Sequence, residues 1–539
     1  MNRFFFLFLL LAPGLLFAQP LIEWQKCFGG TKNDLPGGLV QTRDGGYIMA
    51  GQTKSDDGDV ISNHGNYDLW IVKTSAKGAI EWQKSYGGSG DDGGGVILQT
   101  FDGGYIIAAS TNSNDGDLKG ISHTDGKQSD IWVYKIDSLG AIIWQKTFGG
   151  SKNDFLTSMD HAGEGEFIIS AITESADGDV QGFHGGSGFD TWIFEISESG
   201  TIGWQKIFGG TNDDEAYSLI QTRDGGFAFA GLTYSHDGDL SGRQTIDTTS
   251  ADIWFVKLSS TGGIQWQKTY GGSKFDEGFS LTQTFDHGFA IAGLTFSEDG
   301  DVSGIHTPAY FSDCWIVKVD NAGAIQWQKA LGGSQGDAAY SILQTSDSGY
   351  VVSASTASND GDVTGFHGIS DCWIFKLGKS GDLRWQKTLG GSWTDANIGS
   401  GIMQTADQGF LVATVTSSHD GDVSGLHGDS TQSDIWLVKL SQDPSAVKDI
   451  SNIHNGSISL YPNPGIGFGK ILYDLDKPAQ VRIEIFNPLG ENLRTLINTK
   501  EETGNHEHAF DISRLPSGTY FFRIQIDGKS MVRAFDLLK

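Results

Sequence analysis

The stretch DIWFVKLSSTGGIQWQKT, residues 252–269, decides the fold. It holds two short apolar runs, Ile253 to Leu258 and Ile264 to Thr269, joined through Ser260-Thr261-Gly262. β-Branched and aromatic residues on either side of a glycine turn read as a β-hairpin. Both of its tryptophans recur. Trp-Gln-Lys stands at Trp24, Trp82, Trp144, Trp204, Trp266, Trp327 and Trp385, and Asp-x-Trp at Trp70, Trp132, Trp192, Trp254, Trp315, Trp373 and Trp436. Seven copies of each give a repeat of about 60 residues. Upstream of the hairpin, Ala216 to Thr222 and Phe227 to Thr233 flank the turn Arg223-Asp224-Gly225, so each unit holds four strands. No segment sustains a helical period.

Four antiparallel strands repeated radially form the blade of a β-propeller. The array begins with a lone fourth strand, Leu21 to Lys26, and ends on a third strand, Ile435 to Leu440. Pairing the spare strand with the incomplete seventh unit closes the ring and removes an open edge. An open solenoid gives no reason for that offset. The expectation is an all-β chain with a seven-bladed β-propeller over 20–440, its four-stranded blades closed by the N-terminal strand. A polar linker, 441–457, and a small C-terminal β-sandwich, 458–539, follow.

The chain has 539 residues, 76 glycines but 10 prolines, and a net charge of −29. Abundant glycine with scarce proline argues for tight turns over disorder. The acidity excludes nucleic acid as a partner and disfavours anionic membranes, because both need a basic surface. The three cysteines cannot build a disulfide framework. Cys314 and Cys372 stand where other copies carry Ile131, Ile253 or Ile435, so they read as small hydrophobes, and Cys27 is left over.

Residues 1–19 read as a signal peptide: Arg3, an apolar run from Phe4 to Leu16, and a cleavage site at Leu16-Phe17-Ala18. The run is shorter than the ~20 residues that span a bilayer and is broken by Pro13-Gly14, and no later segment is apolar enough to cross.

The C-terminal segment carries a different set of signatures. Tyr461-Pro462-Asn463-Pro464 comes first, then Val481 to Phe486 with Asn487-Pro488-Leu489-Gly490, then Leu515-Pro516-Ser517-Gly518-Thr519-Tyr520, with Lys539 last. The segment resembles the type IX secretion C-terminal sorting domain. The resemblance implies Pro462, Asn463, Pro464, Gly490, Gly518, Tyr520 and Lys539 as sorting-motif residues and the type IX machinery as partner. It also implies passage through the periplasm, removal of the domain, and a protein that is secreted or attached at the outer cell surface. The last stretch is thinly basic, with Arg533 and Lys539, which leaves attachment versus release open.

The turn Thr-x-Asp-Gly-Gly (Thr42 to Gly46, Thr222 to Gly226) resembles the Asp-box of sialidase-type propellers. The third unit replaces it with Asp160-His161-Ala162-Gly163. An Asp-box is a folding turn. The arginine triad with which sialidases hold a carboxylate has no counterpart among Arg43, Arg223, Arg243 and Arg384.

Charge locates the candidate surface. Residues 20–440 hold 54 acids and 25 bases, which is the whole net charge. Four aspartates recur per unit. One follows Gly-Gly (Asp34, Asp92, Asp154, Asp214, Asp276, Asp337, Asp395) and one precedes the second tryptophan (Asp68 through Asp434). Two form Asp-Gly-Asp: Asp57 and Asp59, Asp115 and Asp117, Asp177 and Asp179, Asp237 and Asp239, Asp299 and Asp301, Asp360 and Asp362, Asp420 and Asp422. Blade topology puts all four on one face. Five units add a histidine: His64, His184, His306, His367 and His427. Several oxygens around a tight glycine turn suit Ca²⁺, and the Asp-Gly-Asp pairs are the candidate ligands. Short aspartate side chains equally suit hydrogen bonds that close the loops.

Departures from the repeat are the better places for a unique ligand. Trp393 in an entry loop, Phe275 in another, and Tyr310-Phe311 in a long second loop are candidates for stacking on a sugar or anchoring a protein. No nucleophile–base motif stands out. The sequence therefore points to a binding, adhesion or structural module for glycans or surface proteins. The alternative is a carbohydrate-active hydrolase with carboxylates in the propeller funnel.

Overall fold

A computed structural model describes residues 19–121, 126–163, 165–186, 188–240, 250–306, 310–396, 401–443, 459–461, 468–475, 477–486, 492–516, 518–526 and 529–537. Residues 22–440 form seven four-stranded antiparallel sheets; six have their strands in sequence order across the sheet, and the seventh takes its outer strand from the N-terminus. Blade 1 comprises Asp34–Gln41, Tyr47–Thr53, Asp68–Thr74 and Ile80–Tyr86. Blades 2 to 6 repeat it. Among the described residues the one helical element is the 3₁₀ turn Gly116–Leu118.

Blade 7 joins Ile402–Gln404, Phe410–Thr416 and Asp434–Leu440 to the N-terminal strand Ile22–Phe28. Gln25 pairs with Val438 and Phe28 with Ile435. The closure read from the offset register is thus the observed one.

The core lies in the layers between neighbouring blades, not inside any one blade. In one layer Ala228, Ile253 and Phe255 of blade 4 pack on Phe289, Ile291, Trp315 and Val317 of blade 5. Second and third strands are covered on both faces, which is why Asp252–Leu258 is buried at every position. All seven Asp-x-Trp indoles are fully buried. Each donates its N–H to the glutamine of Trp-Gln-Lys on the adjoining outer strand, from Trp70 to Gln83 (2.7 Å) round to Trp436 and Gln25 (2.7 Å).

The Trp-Gln-Lys tryptophans are less buried than the Asp-x-Trp ones. Six are half-buried; only Trp385 is fully covered. The outer strand has one face toward solvent, and each ring lies over the hairpin turn of the next blade. A Cβ at Gly78 would come within 2.9 Å of the Trp24 ring, and one at Gly381 within 2.8 Å of Trp327. Trp385 has no such turn beside it. Its N–H goes instead to the buried Asp443 (2.9 Å), so the first residues after the seventh blade pack on the propeller.

The C-terminal segment forms two sheets. One orders Ser459–Tyr461, Phe468–Leu475 and Gly504–Asp511; the other orders Asn492–Glu501, Ala479–Phe486, Gly518–Ile526 and Lys529–Leu537. Ile471, Phe510, Val481, Phe522 and Phe535 share one core, the signature of a small sandwich.

Candidate functional site

The aspartate repeats build one rim, and each aspartate has its own role. Asp34 is fully buried and accepts from the Gly30 amide (2.8 Å), the Ser55 hydroxyl (2.9 Å) and the Thr53 hydroxyl. Asp57, exposed, accepts the Thr31 amide (2.7 Å) and hydroxyl (2.8 Å), clasping the entry loop to the second loop. Asp115, Asp177, Asp237, Asp299, Asp360 and Asp420 each take the equivalent amide. Between them Gly58 has φ of 66°, and a Cβ there would lie 2.4 Å from the Gly29 carbonyl oxygen. Only glycine fits that approach.

The histidines are struts. His64, His184, His306, His367 and His427 each place Nδ1 2.6–3.1 Å from the aspartate before the second tryptophan of their own blade. Three reach the next blade through Nε2: His184 to Asp239 (3.4 Å), His306 to Asp362 (3.5 Å) and His427 to Asp59 (3.6 Å). Burial pulls the His306 and His427 imidazoles down, but their aspartate partners outweigh it and raise both.

On the opposite face, the Asp-box-like turns hold buried lysines. Lys73 meets Asp44 (3.0 Å), and Lys135, Lys257, Lys318, Lys376 and Lys439 repeat the pair at 2.7–3.1 Å. The third blade loses both partners at once. Its turn has no such aspartate, and Glu195 stands at the lysine position, accepting the Trp204 N–H (3.0 Å).

The inner strands are not equivalent, and here sequence reasoning missed residues. At the third position after the repeated aspartate stand Gly37, Gly95, Thr157, Tyr217, Phe279 and Tyr340 in blades 1 to 6. The small residues leave a cavity of about 380 Å³ bordered by Gly37, Gly95, Thr157 and Met403. The large ones pack together, Tyr217 tilted against Phe279 (5.7 Å) and Phe279 stacked on Tyr340 (4.9 Å). Glu215 accepts the Tyr217 hydroxyl (2.6 Å), and Glu277 also lies within hydrogen-bonding reach of it. Burial pushes the Glu277 carboxyl up to about 7. The signal was available: the position after the repeated aspartate is glutamate only in blades 4 and 5, against Leu35, Gly93, Phe155, Ala338 and Ala396.

Of the aromatic candidates, Tyr310 is 83% exposed, Trp393 46% and Phe311 41%. Ile369, also exposed, donates its amide to the Trp393 carbonyl (3.2 Å), extending the apolar surface between blades 6 and 7. Phe275 differs. It is half-buried between Tyr234 and Phe296, each 6.3 Å away, so it props a loop. All three cysteines are free and buried.

In the C-terminal sandwich, Gly518 opens a strand and the buried Tyr520 donates to the Pro516 carbonyl (2.7 Å), pinning the preceding turn. Pro462, Asn463, Pro464, Gly490 and Lys539 lie outside the described residues, as do residues 1–18 of the expected signal. No helix among the described residues is long and apolar enough to cross a membrane.

Residues 459–535 match the family described as the secretion system C-terminal sorting domain. No curated protein matches the chain. Among solved structures it is similar to the Pan2 WD40 domain of Neurospora crassa, at 10% identity and TM-score 0.40 over 75% of this chain and 89% of that one. It is similar also to BBS1N in complex with ARL6DN, at 9% identity and TM-score 0.39 over 78% and 97%. Likeness at this level bears on no activity. The chain is a seven-bladed β-propeller that carries a type IX secretion C-terminal sorting domain and is exported by that route.

Proposed function

We propose that this protein is a surface-displayed or secreted glycan-binding module, delivered after removal of a signal peptide at residues 1–19 and of the sorting domain. The observation that carries the reading is the exposure of Tyr310 and Phe311 on one loop, and of Ile369 and Trp393 on two neighbouring loops, of the acidic face. Large, exposed rings projecting from loops on a rigid ring stack on sugar faces at little entropic cost. On a polysaccharide array the mature chain retains a defined set of glycans, and Trp393→Ala and Tyr310→Ala each weaken binding about 10-fold, a loss of roughly 1.4 kcal/mol. Unchanged binding in both variants rejects the reading.

A second reading is favoured by the Glu215–Tyr217–Glu277 set. A carboxylic acid with its pKa near 7 beside a second carboxylate is the pair a glycosidase uses. Release of reducing ends from a bound glycan, abolished in Glu277→Gln, replaces binding by hydrolysis as the function.

We also propose that the Asp-Gly-Asp loops close through their own amide donors, with calcium dispensable. Excess Ca²⁺ then leaves the propeller's Tm unchanged. A clear rise that disappears in Asp57→Asn and Asp115→Asn reinstates those aspartates as calcium ligands.

A further inference from the structure

We propose that Glu501, His506 and His508 form a zinc site that ties together the two sheets of the C-terminal sandwich. Glu501 ends a strand of the four-stranded sheet, whereas His506 and His508 alternate onto one side of Gly504–Asp511 in the other sheet. One ligand atom from each lies within 4.8 Å of the other two, in a part-buried setting.

Two details point to a cation between them. The His506 Nε2 lies 2.7 Å from the Glu502 carbonyl, an acceptor, so Nε2 carries a proton and Nδ1 is the ring atom turned to the Glu501 carboxylate. That Nδ1 stands 3.4 Å from Oε2. Ligand atoms bound about 2.0–2.1 Å from a tetrahedral zinc stand about 3.4 Å apart. The His508 Nε2 is shut from solvent and makes no hydrogen bond, although Glu501 Oε1 is only 2.8 Å away. The nitrogen is thus left without a hydrogen-bond partner beside a carboxylate, and a shared cation would satisfy both.

The outer partners are those of a zinc site. The Glu502 carbonyl fixes the His506 tautomer, and the Tyr473 hydroxyl donates to Glu501. Tyr473 stacks against both imidazoles, at 5.4 and 5.7 Å. Two histidines and a glutamate, with water completing the tetrahedron, select Zn²⁺ over Ca²⁺, which takes oxygen ligands. A small sandwich gains most from such a staple.

The test titrates Zn²⁺ into the chelator-stripped full chain by calorimetry. One equivalent binds, and His506→Gln or His508→Gln weakens it at least about 10-fold, the loss expected from disturbing even an outer partner. His64→Gln and His427→Gln, on the propeller rim, leave it unchanged. In the Co²⁺-loaded wild type, two shifted exchangeable imidazole N–H signals appear in the proton NMR spectrum, a readout that needs no variant. Absence of binding, binding that survives with His506→Gln and His508→Gln combined, or fewer than two such signals overturns the proposal and leaves an ion pair to Glu501 in its place.

Discussion

The propeller unfolds at a higher temperature at pH 5.5 than at pH 8, by several degrees. The cause is a set of buried aspartate pairs at the blade junctions. The aspartate before the second tryptophan of one blade faces the post-glycine aspartate of the next: Asp434 with Asp34, Asp68 with Asp92, Asp190 with Asp214, Asp252 with Asp276, Asp313 with Asp337, Asp371 with Asp395. Most crowd the first glycine of Gly-Gly, where a Cβ at Gly149 would lie 2.6 Å from Asp130 and 2.7 Å from Asp154. Burial, joined by the neighbouring charge, pushes Asp34, Asp190, Asp214, Asp337 and Asp371 up to about 6 and Asp276 to about 7.

A carboxyl whose folded pKa is raised binds its proton more tightly folded than unfolded. Stability therefore rises as pH falls from the folded value toward the unfolded value near 3.9. A two-unit rise corresponds to about 3 kcal/mol for one group. His306 and His427, raised by their aspartates, act in the same direction: their contribution is full below about 6.5 and is lost as pH climbs through the folded value. The turn aspartates set the opposite limb. The Lys135 hydrogen bond holds Asp102 at about 2, so its contribution is lost as pH falls below 4 toward that value. Tm against pH is a peak near pH 5, and a flat profile or one rising toward pH 8 sinks the account. The Asp68 Oδ1 is buried without a hydrogen bond. Asp68→Asn, with its amide nitrogen there, donates toward Asp92 and raises Tm at pH 8 but not at pH 5.

Deleting residues 19–28 abolishes the closed monomer. The truncated seventh blade keeps three strands, and Asp434–Leu440 becomes an open edge. Phe28 and Cys27 leave the core, Gln25 leaves the Trp436 N–H, and Glu23 leaves the buried Lys439. Buried apolar side chains of this size contribute about 2–3 kcal/mol each. With the unpaired indole the loss is about 5 kcal/mol, comparable with the whole stability of many domains. Light scattering finds oligomers, and a synthetic peptide of residues 20–30 restores the monomer. A monomeric truncation with unchanged Tm refutes the closure as a stability element.

Much of this protein is legible from sequence because its information is local and repeated. Strand pattern, glycine turns and two tryptophans per unit define seven blades, and the offset between the first and last units defines the closure. The sorting motifs likewise sit in order along one short segment. The rest depends on contacts within and between blades, which bring together residues about 24 to 62 positions apart. Asp68 and Asp92 look like separate loop acids until the junction buries them face to face. Lys73 looks like an exposed strand residue until the fold presses it under the Asp44 turn. Glu215 and Glu277 are two acids among 54 until adjacent inner strands bring them to one tyrosine. Local periodicity is written in the chain. Partnership across a blade interface exists only once the ring has closed, because burial and proximity, not residue type, decide what each carboxylate does.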